Sequence, residues 1–103
     1  MSRLPAILKL LERTPNDAEL LYAAGMEHKK LGQWADAVKF FDRTIAADAG
    51  YCYAYYQRGQ TLEQAGDPAG ARESYTRGLD AAGKKGDQKA FGEIQLALDL
   101  LTG

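Results

Sequence analysis

Leu21-Tyr22-Ala23-Ala24-Gly25 returns, 34 residues later, as Tyr55-Tyr56-Gln57-Arg58-Gly59. The same offset carries Gly32 to Gly66, Ala35 to Ala69, Ala37 to Ala71, Arg43 to Arg77 and Ala47 to Ala81. It sets Phe41 against Tyr75 and Ile45 against Leu79, which keeps their apolar character. No insertion is needed between the two copies. A fixed period of this length means that one supersecondary unit is repeated. Each unit alone leaves an apolar face bare, so neighbours must stack to cover it.

Each unit reads as two helices and a tight turn. In the first, Asp17 can cap a helix to about Leu31, with Glu19 in its first turn and Lys29 and Lys30 near its end, where each charge suits the helix dipole. Gly32 follows as a left-handed stop. A second helix runs from about Trp34 to Ala47, with Trp34, Ala37, Val38, Phe41 and Ile45 at helical spacing. Asp48-Ala49-Gly50 breaks it. In the second unit a helix spans about Cys52 to Ala65 and Gly66 ends it. Asp67-Pro68 starts the next helix, which is expected to stop near Ala82 at Gly83-Lys84-Lys85-Gly86.

Two flanking helices complete the reading. Pro5 can open a short one through about Arg13, with Ile7, Leu8, Leu10 and Leu11 apolar. Asp87 can cap another to about Leu101, with Phe91, Ile94, Leu98 and Leu101 as one apolar stripe. The chain is thus a single all-α domain of about six helices, an α-solenoid of stacked antiparallel helix pairs. Its parts are an N-terminal half-repeat helix (1–15), repeats at 18–51 and 52–85, and a C-terminal capping helix (86–103).

Composition bounds the function. The 103 residues make one domain, 46% apolar and 26% charged, with formal net charge −1. Phosphate-binding domains carry a clear basic excess, so no nucleic acid is expected as partner. Cys52 is the only cysteine and His28 the only histidine, too few nitrogen and sulfur ligands for a zinc site. No stretch approaches the roughly 18–20 apolar residues of a membrane span, and no signal-like run opens the chain. No membrane contact is expected, and the location is expected to be cytoplasmic.

A helix-turn-helix period of 34 resembles the tetratricopeptide-repeat (TPR) family. The residues that carry the resemblance are Leu21, Ala24-Gly25, His28, Ala37, Phe41 and Thr44, then Tyr55, Arg58-Gly59, Leu62, Ala71, Tyr75 and Gly78. Gly32-Gln33-Trp34-Ala35-Asp36-Ala37-Val38 is similar to the family's opening of its second helix, helix B. Pro15 matches the family's terminal proline, so the first helix resembles helix B of a truncated repeat. The departures are Ala49 and Gly83 where proline is usual, and His28 and Arg58 at normally apolar positions, whose polar ends can snorkel outward.

The resemblance implies a concave groove lined by the first helices, A, of each unit, which accepts a peptide or a partner's helix. Positions 2, 5, 9 and 12 of each unit share one face of helix A. They are Glu19, Tyr22, Met26 and Lys29, then Tyr53, Tyr56, Gln60 and Glu63, flanked by Lys30, Gln57 and Gln64. Tyrosine offers broad apolar contact and a hydroxyl at little entropic cost, and methionine adapts to irregular partners. The tyrosines can instead simply pack at the edges of the stacked helices. One TPR subclass holds a C-terminal carboxylate with Lys, Asn and Arg. Here Met26 and Gln60 or close neighbours replace its asparagines, and Glu19 and Glu63 oppose an acidic tail.

Leu96 and Leu100 fall outside the C-terminal stripe. They can line the groove's end, contact a second copy in a homodimer, or merely cap the core. Catalysis has little to work with. A nucleophile needs a neighbouring base and an orienting group, and Glu27 beside His28 reads as a solvated charge. Gly32, Gly66 and Gly83 read as helix stops, not as a phosphate loop. No enzyme, cofactor or metal is expected.

Overall fold

The computed structural model describes residues 2–102 and contains six helices. They are α1 (Leu4–Arg13), α2 (Ala18–Lys30), α3 (Trp34–Ala47), α4 (Cys52–Gln64), α5 (Pro68–Lys85) and α6 (Gln88–Thr102). Each packs on the next in chain order. The A helices α2, α4 and α6 also touch in series, leaving α3 and α5 on the opposite side. The stack measures 40 × 29 × 19 Å.

The turns follow from side-chain chemistry. Carboxylates of Asp17, Asp67 and Asp87 accept the backbone N–H groups of Leu20, Gly70 and Ala90 at 3.1, 2.9 and 3.0 Å. Gly32 and Gly66 take positive φ, 73° and 84°, so the chain reverses without a Cβ clash. The N–H of Gln33 then bonds back to His28 at 3.0 Å, and that of Asp67 to Leu62 at 2.8 Å. These six-residue closures satisfy carbonyls that the helix ends leave bare.

One stop lies elsewhere than the sequence suggested. Gly83 is helical, and α5 runs a turn further to Lys85. The left-handed stop is Gly86, φ 73°, closed by the Asp87 N–H on Ala82 at 3.0 Å. The extra turn is favoured by Lys84 and Lys85 at the helix's negative end and by a Lys84–Asp80 pair at 3.0 Å. It lengthens the period: α4 begins at Cys52 and α6 at Gln88, two residues beyond a strict 34.

Close helix crossings build the core. The Phe41 ring lies over Gly25, and the Tyr75 ring over Gly59. Gly78 is pinched between two helices: a Cβ there would come to 2.9 Å from Tyr55 Cβ and 3.1 Å from Ile94 Cδ1. This tight fit offsets the roughly 1 kcal/mol that glycine costs inside a helix. Ala24, Ala37, Ala54, Ala71 and Ala90 are fully buried at these contacts.

The last helix corrects another expectation. Its covered face is Ala90 and Ile94, with Leu98 and Leu101 partly buried, whereas Phe91 is 41% exposed. In the lengthened register Phe91 stands where Tyr55 stands on α4. Tyr55 is covered by its following helix, and among the described residues no helix follows α6.

Candidate functional site

Helices α2 and α4 lie in contact with one another, and α4 in turn with α6. Tyr22 on α2 is half-buried and stacks on Tyr51 with ring centroids 4.9 Å apart. It also tilts against Phe41 at 5.8 Å. Burial first, then the nearby Tyr51 and Tyr53 hydroxyls, pushes the Tyr22 hydroxyl up to about 12, against a Gln57 hydrogen bond that lowers it. Tyr53 and Tyr56 on α4 meet edge to face at 6.2 Å.

Polar groups tie these rings together. The Lys29 ammonium donates to Gln57 Oε1 at 2.7 Å and Gln60 Oε1 at 3.1 Å. Gln60 Nε2 in turn donates to the Tyr56 hydroxyl at 3.0 Å. Burial lowers the Lys29 pKa, because both its partners are neutral. Glu63 accepts a hydrogen bond from the hydroxyl of Tyr75, whose side chain is fully buried. Desolvation and this carboxylate push the Tyr75 hydroxyl far up.

The residues singled out in the sequence are only partly brought together. Tyr22, Lys29, Tyr53, Tyr56, Gln57 and Gln60 form the continuous half-buried surface just described. Met26 is half-buried on the same helix, and Glu19, Glu63 and Gln64 are exposed. Lys30 is drawn off to Glu27 at 3.2 Å. Tyr51 was missed because it sits in the break after α3, where helical periodicity says nothing.

The C-terminal leucines join this side of the molecule. A cavity of about 290 Å³ lies between α4 and α6, with Tyr56, Gln60 and Glu63 on one wall and Glu93, Leu96 and Leu100 on the other. In the longer register Leu96 takes the place that Gln60 holds on α4, and Leu100 that of Gln64. Leu96 is 58% exposed and Leu100 74%. Glu93, which the strict 34-residue offset did not reveal, stands against the Tyr53 hydroxyl. That hydroxyl's pKa is raised by burial and by Glu93.

Two polar residues differ from expectation. Glu27 is not a solvated charge: it is buried, accepts the Arg3 N–H at 3.0 Å and pairs with Lys30. These bonds, the Arg3 backbone first, hold its carboxyl below the usual range. Arg58 does not snorkel into water. Its side chain is 16% exposed, with Nε on Asp42 at 2.7 Å and Nη1 on the Ser74 hydroxyl at 2.6 Å. His28 stacks on Phe40 at 5.2 Å and meets Gln33 through Nδ1 at 2.7 Å.

No family model matches the chain. A TPR repeat-containing protein of Pseudomonas aeruginosa is 29% identical over 90 residues, 87% of this chain and 86% of the relative. The crystal structure of a tetratricopeptide repeat domain protein from Salinibacter ruber superposes with a TM-score of 0.77 at 29% identity, over 84% of this chain and 97% of that one. The chain has the tetratricopeptide-repeat fold and is similar in sequence to proteins of that name. A solution structure of a Bordetella parapertussis protein shares the fold over 99% of this chain and 89% of its own, with a TM-score of 0.85 at 27% identity. The TPR fold is in general a non-catalytic protein-interaction fold. Among the described residues no helix is long and apolar enough to cross a membrane.

Proposed function

We propose that the concave side of α2, α4 and α6 binds a peptide or helix of a partner protein, and that the chain catalyses nothing. The observation that carries this is the run of half-buried rings from Tyr51 and Tyr22 to Tyr53 and Tyr56, continued by exposed Leu96 and Leu100. These rings are fixed by one another and by Gln57 and Gln60, so little freedom is lost when a partner covers them. A soluble helix seldom leaves adjacent leucines this bare without a use for them.

The test selects binders from a displayed library of random dodecapeptides and maps the strongest by amide NMR shifts. Shifts at Tyr22, Tyr53, Tyr56 and Leu96, weakened in Tyr22→Ala and Tyr56→Ala, support the groove. Shifts confined to α3 and α5 count against it.

A second reading is self-association through the C-terminal helix. Phe91 is 41% exposed on α6 and Leu10 50% exposed on α1, at opposite ends of the stack. Arg3, Lys9 and Arg13 outweigh Glu12 at one end; Asp87, Glu93 and Asp99 outweigh Lys89 at the other. A second copy could therefore dock head to tail. Sedimentation over a wide concentration range decides this, and a strict monomer removes it.

A further inference from the structure

Resting on the groove reading above, we propose that the α4–α6 end of the groove is a socket for one bulky apolar side chain. The same partner segment carries a lysine or arginine within a helical turn of that side chain. The socket's apolar walls are the Tyr56 ring, Leu96, Ala97 and Leu100, around a cavity of about 290 Å³. Its rim holds two carboxylates from different helices, Glu63 and Glu93.

The way these carboxylates are held identifies the partner's charge. Tyr75 donates its hydroxyl to Glu63, and Tyr53 stands against Glu93. A tyrosine hydroxyl orients a carboxylate without cancelling its charge. Elsewhere Glu27 is paired with Lys30, Asp42 and Glu73 with Arg58, and Asp80 with Lys84. Among the described residues no ion pair includes Glu63 or Glu93. The groove cation Lys29 is engaged by the amide oxygens of Gln57 and Gln60.

Two oriented, uncompensated anions beside an apolar hollow favour an apolar group flanked by a cation. They repel an acidic segment or a bare C-terminal carboxylate. The cation's charge is met at the rim, where water remains, so its desolvation cost stays small. The apolar side chain supplies the burial.

The experiment uses the full chain and the dodecapeptide selection. Selected peptides should share a bulky apolar residue with Lys or Arg within about one turn, 3–4 residues, of it. The strongest one is synthesised and titrated into the native chain, Glu63→Gln, Glu93→Gln and the double variant. Glutamine at 63 keeps an acceptor for Tyr75, and thermal melts check that each variant folds. Two partly exposed ion pairs lost together should weaken binding about three- to tenfold. The native affinity should fall as salt is added, and the double variant's should fall much less. Leu96→Ala should weaken binding without changing the salt response.

Peptides that bind the groove but lack a cation overturn this inference and leave the groove intact. So does a double variant with native affinity and native salt response. Shifts confined to α3 and α5 remove both.

Discussion

Phe41 lies against the bare α-carbon of Gly25, so closely that a Cβ there would stand 2.6 Å from ring atom Cε1. The second repeat places Tyr75 on Gly59 in the same way. Both rings are fully buried and have no room to retreat. Gly25→Ala and Gly59→Ala should therefore each destabilise by about 1–3 kcal/mol, although alanine is the better helix former. Gly83 and Gly92 lie inside helices, and a methyl group on either would meet nothing within 4 Å. Alanine there should stabilise by about 0.5–1 kcal/mol. Urea unfolding of the four variants checks the contrast, and equal signs at all four sites would contradict the crossing geometry.

The repeat made these crossings legible before any coordinates. Gly25, Ala37 and Phe41 recur as Gly59, Ala71 and Tyr75, and helical caps at Asp17, Asp67 and Asp87 each announce a start. Asp87 marked the start of α6 at Gln88, but the end of α5 was ambiguous, because Gly83 and Gly86 are equally good stops in sequence. Lys84 and Lys85 at the helix end, the Lys84–Asp80 pair and the fit of Ala90 and Ile94 favour the later one. That shift of two residues brings Leu96 and Glu93 to the cavity between α4 and α6 and sets Phe91 at the position of Tyr55, where among the described residues no following helix covers it. The Glu27–Arg3 link was also invisible, since it joins residues 24 apart through a backbone N–H that no periodicity marks.

Acid should loosen the grip of Glu27 on the start of α1. Its pKa is lower in the folded chain than in the unfolded one, where a glutamate titrates near 4.3. The unfolded state therefore takes up the proton first. The stability Glu27 gives is fully present above the unfolded value and disappears as pH falls through the folded one. Glu27→Gln should be less stable than the native chain at about pH 6, with the gap closing towards about pH 3. Denaturant melts across that range measure it, and a gap that widens in acid would reverse the assignment.

Cys52 should behave as an inert thiol until the chain opens. It is 3% exposed, and its sulfur donates to the Gly50 carbonyl at 3.3 Å. Burial raises its pKa, with only partial relief from Lys85, so little reactive thiolate forms near neutrality. Labelling by an aromatic disulfide reagent should be at least about a hundredfold slower in the native chain than in denaturant. Rapid native labelling would mean that the α3–α4 turn opens locally.

Arg58 offers the sharpest test of what a buried polar residue contributes. It sits where the TPR pattern has an apolar side chain, and it reaches Asp42 on α3 and Ser74 on α5. Its removal leaves neither partner stranded. The Ser74 hydroxyl also donates to the Gly70 carbonyl at 3.0 Å, and the Asp42 carboxylate is half exposed. A well-packed apolar replacement for such a clamp is often neutral or stabilising, whereas truncation loses the packing of its stem. Arg58→Leu should thus lie within about 1 kcal/mol of native stability, and Arg58→Ala should lose about 1–3 kcal/mol. Equal losses for the two variants would show that the charge itself, rather than the volume it fills, holds α3 and α5 across α4.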